Sequence, residues 1–384
     1  MAKYRIIRVV LIAIVLLLVA SCTPKPAPAP APTTPSPAST TPTPVAKPAT
    51  GTSDDAWAKI VAAAKKEGNV TIYSTGFIAD VGKRIAAEFR KEYGIPIDNL
   101  VGNGGTLLQK ILVEQSMKGQ VADIFIIGGA GSTSDLILRG GAESIAKDLP
   151  VLRDKSVFKA DPVYSPGGEG LVWVLAYSGV NINTNLVKPE DYPKSYKDFL
   201  DPKWKGKILT ADPLTTGGAA PFYYVPRYYK VTDVDYYRQM AKNDVKIWGG
   251  NPREAAMMVA RGEYYMEIGN STDTVGPIMG AGAPLKTLPL VEGVTGQLGN
   301  VLVVKGAPHP NAARVFVNWL LSAEGQRVYT EIANSTPVRK DVPDTVHPNA
   351  RMDNPKVLGR TWELEQWSID DLKAKTMEQI FGKR

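Results

Sequence analysis

The sequence predicts an α/β fold of two lobes, each a mainly parallel sheet flanked by helices, with two strands as the hinge. The first indication is a pattern that occurs three times over residues 70–141: an apolar strand, a loop of small polar residues and an amphipathic helix. Strands that alternate with such helices favour right-handed crossovers and a parallel sheet. The second indication is a pair of apolar runs, residues 171–180 and 297–304, that flank a middle segment of different composition. Two such runs fit strands that cross between lobes.

Residues 1–21 are predicted to be a lipoprotein signal peptide. A positively charged start precedes an unbroken apolar run over residues 9–20, which is too short for a comfortable membrane span. The run ends just before Cys22 in a segment that resembles a bacterial lipobox, although that pattern more often has Leu where this chain has Val19. The resemblance implies cleavage before Cys22 and lipidation of that residue, which would anchor the mature chain to a membrane.

Residues 22–53 are predicted to be a tether, because Pro, Ala, Thr and Ser dominate them and cannot bury an apolar core. The formal charge of +7 depends largely on the leader and tether, since five Lys and Arg residues and no acid precede Asp54. Residues 54–384 therefore carry about +2, which gives no reason to expect nucleic-acid binding. Cys22 is the only cysteine, so a disulfide within the chain is excluded.

The elements of the first part follow in order. A helix begins at Asp54 and Asp55, acids that suit a positive dipole end, and Gly68 closes it. Three strand–loop–helix units come next. Their strands are predicted over residues 70–73, 95–101 and 121–127, and their polar loops over residues 74–76, 102–105 and 128–132.

The middle segment contains two further strand ends. Residues 207–212 read as a strand that leads into a polar loop at 213–219. Asn251 begins a helix with a capping-box-like pair, and residues 264–268 read as a strand followed by polar residues 269–273. Core-facing helices are predicted near residues 311–321 and 369–380 from their apolar stripes.

Two lobes follow from this order. We predict that residues 54–172 and 300–384 form the first lobe and that residues 177–297 form the second. The two apolar runs connect the lobes as a hinge, and polar strand-end loops from both lobes face the cleft between them. Closure of two lobes around a ligand is a known hinge mechanism.

The polar loops predict a small-molecule site. In a parallel sheet, the loops that leave the carboxyl ends of the strands share one edge, where ligands bind. Each loop feeds a helix, so backbone N–H groups and positive helix ends would converge there. The candidate ligand-binding residues are Ser74, Thr75, Gly76, Asn103, Gly104, Thr106, Gly129, Ser132, Tyr177, Thr215, Thr216, Gly217, Asn270, Ser271 and Thr272.

These residue types leave alternatives open. Ser, Thr and Asn are also common as helix N-caps and turn residues, so the convergence of five loops carries the prediction rather than any one residue. Phe77, Trp173 and Tyr177 could supply an apolar wall, and Trp173 and Tyr177 could equally be core residues of the hinge strands.

Four stretches resemble family-1 extracellular solute-binding proteins, in the ferric-ion-binding-like branch. They are residues 57–74 (WAKIVAAAKKEGNVTIYS), 122–125 (ADIF), 310–326 (PNAARVFVNWLLSAEGQ) and 337–342 (PVRKDV). The resemblance implies a type II periplasmic-binding-protein fold and delivery of a solute to the membrane subunits of an ABC transporter. The lipobox agrees with this assignment independently.

The resemblance leaves the solute open. Ferric members of the branch use a consecutive tyrosine pair after the strand that corresponds to residues 264–268, whereas this chain has Asn270, Ser271 and Thr272 there. Four Tyr-Tyr pairs exist, and none occupies that position, although the pair at 223–224 follows a polar loop. Hydroxyl, amide and backbone N–H donors favour a small polar, anionic organic solute, with ferric iron as the alternative.

Other classes find little support. The chain has no Gly-x-Ser-x-Gly elbow, His-Glu-x-x-His helix, Walker loop or spaced Cys/His cluster, so an enzyme is not expected. A structural surface adhesin is conceivable. We expect a monomer without a cofactor or resident metal, exported and lipid-anchored on the outer face of the cell membrane or in the periplasm.

Overall fold

The mixed α/β arrangement predicted from the sequence is present. A computed structural model describes residues 53–77, 79–128, 130–211, 220–250, 252–333, 335–352, 355–359, 361–373 and 379–380. The predicted signal peptide and all of the predicted tether except residue 53 lie outside these residues. Within the described ranges, no helix is both long and apolar enough to cross a membrane.

Helices and strands alternate through most of the chain. The helices are α1 (Ser53–Glu67), α2 (Ala79–Tyr93), α3 (Gly104–Ser116), α4 (Ala130–Leu138), α5 (Ala220–Tyr228), α6 (Val234–Ala241), α7 (Pro252–Ala260), α8 (Thr272–Gly280), α9 (Pro310–Leu320), α10 (Ala323–Ala333) and α11 (Trp362–Lys373). The strands are β1 (Val70–Ser74), β2 (Ile97–Val101), β3 (Ile124–Ile127), β4 (Leu171–Asn183), β5 (Ile208–Ala211), β6 (Lys246–Trp248), β7 (Met266–Ser271), β8 (Leu285–Leu288), β9 (Val294–Val303) and β10 (Val357–Leu358).

A ten-stranded sheet runs through the described chain in the order β2-β1-β3-β9-β4-β7-β5-β6, with β10 beside β9 and β8 beside β4. Strands β2, β1 and β3 are parallel at one end, and β7, β5 and β6 are parallel at the other. Between them, β9 and β4 are antiparallel to each other and to their neighbours β3 and β7. The sheet therefore consists of two parallel halves that are joined by an antiparallel pair, which we call the crossing strands.

Apolar clusters cover both faces of each half. In the first half, one face packs Ile72 and Ile124 against Phe316 of α9, and the opposite face packs Phe125 against Leu107 of α3. In the second half, one cluster surrounds Ile268 and Tyr237, and another surrounds Val259 and Val275. Burial on both faces explains why β3 and most of β4 read as continuous apolar runs.

The C-terminal segment does not stay with the first half. Val346 and Ala350 lie in the same cluster as Val259 of α7, although the sequence placed all of residues 300–384 in the first lobe. Strand β10 pairs with the start of β9, and α11 contacts both α4 and α5. The lobe boundaries stay a prediction, and the described residues 346–373 contact both halves.

Candidate functional site

Both parallel halves end at the middle of the crossing strands. Ile127, the last residue of β3, lies opposite Asn300 of β9. Ser271, the last residue of β7, lies opposite Ser178 of β4, which in turn lies opposite Thr295 of β9. Asn300 and Thr295 are separated by roughly 16 Å along the strand. The carboxyl ends of the two halves therefore point toward each other across residues 174–177 and 296–299, which we call the central stretch.

Three of the predicted residues meet on the first side of the central stretch. Gly104 is the first residue of α3, and a Cβ at this position would lie 3.6 Å from both the Ser132 Oγ and the Thr75 Cγ2. The Thr75 Oγ1 accepts a hydrogen bond from the Gly128 N–H at 3.1 Å, which joins the loops after β1 and β3. We call Thr75, Gly104 and Ser132 the glycine cradle. It lies at the N-terminal turns of α3 and α4, where N–H groups and helix dipoles favour an anion.

Other predicted residues of the first half have structural roles. Ser74 is fully buried, and its Oγ donates to the Asn99 Oδ1 at 2.9 Å. Asn103 caps α3, because its Oδ1 accepts a hydrogen bond from the Gly105 N–H at 2.9 Å. Thr106 is exposed in the first turn of the same helix. Contact of these residues with a ligand remains a prediction.

Phe77 and Trp173 belong to the core and do not form a ligand wall. Each is 1% exposed, and their rings meet edge to face with centroids 5.4 Å apart. The Trp173 ring also contacts Tyr329 at 4.5 Å. A Cβ on Gly76 would lie 3.7 Å from the Trp173 ring, so the chain after β1 runs close over this core. Of the predicted apolar wall, only Tyr177 remains.

Asn270, Ser271 and Thr272 lie on the second side of the central stretch, but they do not form a loop as the sequence predicted. Strand β7 continues through Ser271, α8 begins at Thr272, and all three residues are buried. The Asn270 Nδ2 donates to the Pro252 carbonyl at 2.9 Å and to the Glu267 carboxylate at 3.0 Å. Because its polar atoms are satisfied inside the fold, Asn270 can remain in a buried strand.

Thr272 connects the second half to the crossing strand. Its Oγ1 accepts a hydrogen bond from the Tyr177 N–H at 3.2 Å. Burial, together with the nearby Asp344 carboxylate, raises the pKa of the half-buried Tyr177 phenol, which therefore stays protonated and able to donate to an anion. The Ser271 Oγ already donates to Asp273, so towards a ligand it could act only as an acceptor.

Four predicted ligand residues, Gly129, Thr215, Thr216 and Gly217, lie outside the described residues, as does Cys22. Their roles stay predictions. In the second half, the described part of the predicted site is therefore the end of β7 and the start of α8.

The tyrosine pairs do not stand at the end of β7. The pairs at 223–224 and 236–237 are buried within α5 and α6, the pair at 228–229 lies at the end of α5, and the pair at 264–265 precedes β7. In the part of the chain that the structure describes, no group of three or more His, Cys, Asp or Glu residues could hold a metal ion. The described donors at the strand ends are hydroxyl, amide and backbone groups.

Two buried polar residues beside the predicted site were not among the predicted residues. Glu267 is 1% exposed, and burial raises its pKa to about 8, although the hydrogen bond from Asn270 opposes this shift. Asn300 is 0% exposed on the crossing strand β9. A polar residue within an otherwise apolar strand is the sequence signal that could have identified both.

The sequence matches the protein family described as bacterial extracellular solute-binding protein over residues 84–356. An uncharacterized Haemophilus influenzae protein is 27% identical over 206 residues, which is 52% of this chain and 59% of the relative. A Salmonella typhi protein provisionally named 2-aminoethylphosphonate-binding periplasmic protein is 25% identical over 270 residues, 66% of this chain and 73% of the relative. The matched region thus spans less than two thirds of the Haemophilus influenzae protein.

Solved structures share the fold. Iron-bound HitA from Pseudomonas aeruginosa superposes with a TM-score of 0.63 at 20% identity, covering 80% of this chain and 99% of HitA. The ferric binding protein from Campylobacter jejuni gives 0.68 at 16% identity, covering 81% and 99%. The periplasmic binding protein AfuA from Actinobacillus pleuropneumoniae, with fructose-6-phosphate bound, gives 0.62 at 23% identity, covering 81% and 97%. The predicted two-lobed periplasmic-binding-protein-like fold is confirmed.

Proposed function

Because the chain belongs to the bacterial extracellular solute-binding protein family, we propose that it captures a small polar, anionic organic solute and delivers it to the membrane subunits of an ABC importer. The solute lies over the central stretch, between the carboxyl ends of the two parallel halves. The protein acts by binding and release, without a chemical step.

The glycine cradle carries this proposal. Gly104 leaves a space that is bounded by the Ser132 hydroxyl and the Thr75 methyl, each 3.6 Å from where its Cβ would lie. The space opens at the N-terminal turns of two helices. Apart from that of Gly105, which donates to the Asn103 Oδ1, first-turn N–H groups can hold carboxylate, phosphonate or phosphate oxygens without a countercharge. In the central stretch itself, the protonated Tyr177 phenol adds a donor, and from the second side Thr272 holds the Tyr177 backbone in place.

The described donors fit an organic anion better than ferric iron. Iron(III) is a hard cation that suits anionic oxygen ligands, and the end of β7 carries Ser271 and Thr272 instead of paired phenolates. The names of two similar proteins agree with an anion: one is provisionally 2-aminoethylphosphonate-binding, and the other holds fructose-6-phosphate. Both solutes carry a tetrahedral anionic group on an organic body.

Hinge closure would let the importer distinguish the protein that holds a solute from the empty protein. The central stretch lies between the two halves, so a bend of the crossing strands moves the end of β7 toward the glycine cradle. Closure excludes water from the solute, and the importer then recognises the closed shape. We place the protein on the outer face of the cell membrane or in the periplasm as a monomer, held there by a lipid on Cys22.

A solute screen tests the proposal. Thermal shift of the purified protein is measured with 2-aminoethylphosphonate, fructose 6-phosphate, citrate, inorganic phosphate and Fe(III), and each hit is titrated by calorimetry. We expect an organic anion to raise Tm and to bind with a low-micromolar Kd, about −8 kcal/mol. A response to Fe(III) alone, with the visible absorption of iron–phenolate bonds, would show an iron carrier. Turnover of the bound solute would show that the protein is an enzyme. No change in Tm with any compound of the panel would favour an adhesin.

A further inference from the structure

Asn300 is a buried carboxamide whose hydrogen bonds the fold leaves unmade. It is 0% exposed, and neither its Oδ1 nor its Nδ2 has a hydrogen-bond partner among the described residues. A carboxamide offers two donor hydrogens and an acceptor oxygen, and burying them unpaired is unfavourable. Such a group therefore needs a partner that the described residues do not supply.

The side chains of other buried asparagines are hydrogen-bonded within the fold, which makes Asn300 an exception. The Asn183 Nδ2 donates to the Val259 carbonyl at 2.8 Å, and its Oδ1 accepts from the Asn185 N–H at 2.9 Å. The Asn243 Nδ2 donates to the Phe199 carbonyl at 2.9 Å. These residues join distant parts of the second half, whereas the Asn300 side chain has no such partner among the described residues.

The Asn300 side chain lies on the face of the sheet that carries the glycine cradle. Residues that are directly opposite in an antiparallel pair put their side chains on the same face, with Cβ atoms about 5 Å apart. Asn300 is opposite Ile127, and the Ile127 Cγ2 lies 3.8 Å from where a Cβ on Gly104 would be. Leu302, two residues further along β9, belongs to the apolar cluster on this same face that includes Leu107 of α3. The carboxamide is therefore the residue of this row nearest to the central stretch.

We propose that the Asn300 carboxamide recognises a hydrogen-bond donor, an amine or a hydroxyl, on an anionic solute whose charge is held at the glycine cradle. This rests on the proposed function and specifies the class of solute. The backbone N–H groups at the helix N-termini are donors only, so they can hold the anionic group, whereas a donor on the solute needs an acceptor. The Asn300 Oδ1 is an unused acceptor beside them, and it distinguishes a solute with a donor from one without.

Three phosphonates with the same skeleton test the inference: ethylphosphonate, 2-hydroxyethylphosphonate and 2-aminoethylphosphonate. Calorimetry is performed on the wild-type protein and on Asn300→Leu, which removes the polar atoms at similar size. We expect the wild type to bind the amino or the hydroxy compound at least tenfold more tightly than ethylphosphonate, and Asn300→Leu to abolish this preference. Its Tm should not fall, because the variant removes an unsatisfied buried group.

A matched variant separates binding from folding. Asn183→Leu removes a buried carboxamide whose hydrogen bonds are made, so it should lower Tm and retain the preference. Asn300→Asp keeps the shape and the acceptor oxygens, and should favour the amine over the hydroxyl more strongly than the wild type does.

Two results in this series would overturn the inference and leave the proposed function standing: an unchanged preference in Asn300→Leu, and a wild type that binds ethylphosphonate as tightly as the other two. If the wild type binds fructose 6-phosphate or citrate but none of the phosphonates, an unchanged affinity for that hydroxyl-bearing anion in Asn300→Leu would overturn the inference equally. A wild type that binds no organic anion would reject both proposals.

Discussion

Gly104 stands where a side chain would fill the space between Ser132 and Thr75. The contacts of an added Cβ, 3.6 Å to each, are ordinary van der Waals distances, so alanine fits without moving the backbone. We therefore expect Gly104→Ala to leave the free energy of unfolding within about 1 kcal/mol of the wild type. The methyl group would occupy the cradle, and we expect solute affinity to fall at least roughly tenfold in calorimetry, a loss of about 1.4 kcal/mol.

The neighbouring Gly105 provides the control for this variant. It is exposed, and a Cβ there would meet only the Asn103 Oδ1 at 3.4 Å. Gly105→Ala should keep both affinity and stability. Equal affinities of the two alanine variants would contradict the assignment of the cradle as the anion site.

Glu267 makes stability depend on pH. Its pKa of about 8 in the folded protein lies above the ordinary value of 4.5, so between these values the folded chain binds more protons than the unfolded chain. Stability from this group is therefore complete below about pH 4.5 and is lost as pH rises to 8, with a slope of up to about 1.4 kcal/mol per unit. Urea unfolding at pH 5, 6, 7 and 8 should show this decline.

The variant Glu267→Gln isolates the contribution of the carboxyl group. The glutamine stays neutral, and its amide oxygen can still accept from the Asn270 Nδ2, which lies 3.0 Å from the Glu267 carboxylate. We expect the variant to gain stability relative to the wild type as pH rises toward 8. If the free energies of unfolding of the two proteins changed in parallel with pH, burial would not raise the pKa of the Glu267 carboxyl group.

At the scale of elements, the stretches that resemble the family are bonded to one another in the first half. The Glu67 carboxylate at the end of α1 accepts from the Asn311 and Ala312 N–H groups at the start of α9, at 3.0 and 2.7 Å. The Asp123 carboxylate before β3 accepts from the His309 N–H at 2.7 Å. These residues assemble the lobe, which explains why the resemblance indicated the fold and not the ligand.

Replacing Glu67 tests this structural role. Glu67→Ala removes an acceptor for free N–H groups of α9 and a negative charge at its positive end, so we expect a loss of about 1–2 kcal/mol in the free energy of unfolding. Solute affinity should not change. Lys65→Ala, an exposed change in the same helix, should cost less than about 0.5 kcal/mol in the same denaturation experiment. A Glu67→Ala variant as stable as Lys65→Ala would refute the capping role.

At the scale of the whole molecule, α11 connects the two halves. Its Trp362 ring meets Tyr164 of the first half edge to face, with centroids 5.9 Å apart. Further along, Asp371 pairs with both terminal nitrogens of Arg227 in α5, at 2.7 and 2.8 Å. The ion pair is nearly buried, whereas Trp362 is only partly buried. A hinge motion that separates α4 from α5 would therefore release the Trp362 contact first.

Trp362→Ala should favour the open form. An edge-to-face aromatic pair contributes about 0.5–1.5 kcal/mol, so its loss shifts the equilibrium between open and closed forms by up to about tenfold and weakens solute affinity by the same factor. Small-angle X-ray scattering without solute should show a larger radius of gyration. Tyr93→Ala removes a ring contact of 5.1 Å with Phe89 inside one helix, and should change neither quantity. An unaltered radius and affinity in Trp362→Ala would mean that α11 does not restrain the hinge.

Much of the fold could be predicted because its signals are local. Alternating apolar strands and amphipathic helices indicated β1, β2, β3 and the helices that follow them, and two long apolar runs indicated the crossing strands. The end of β7 was predicted wrongly, because Asn270 and Ser271 have the composition of a loop. Contacts with Pro252 and Glu267 keep Asn270 in the strand, and the contact with Pro252 cannot be read from the neighbouring sequence.

The candidate site depends more strongly than the fold on contacts between residues that are far apart in the sequence. The sequence by itself determined the fold class, the order of the elements and the edge of the sheet at which polar residues gather, since periodicity and loop composition belong to adjacent residues. Only the tertiary structure decided that Ser74 is bonded to Asn99, that Gly104 leaves a space beside Ser132, and that Asn300 has no partner in the described chain. A polar side chain is free to meet a solute only if no other strand or helix satisfies it, and that depends on residues far away in the sequence.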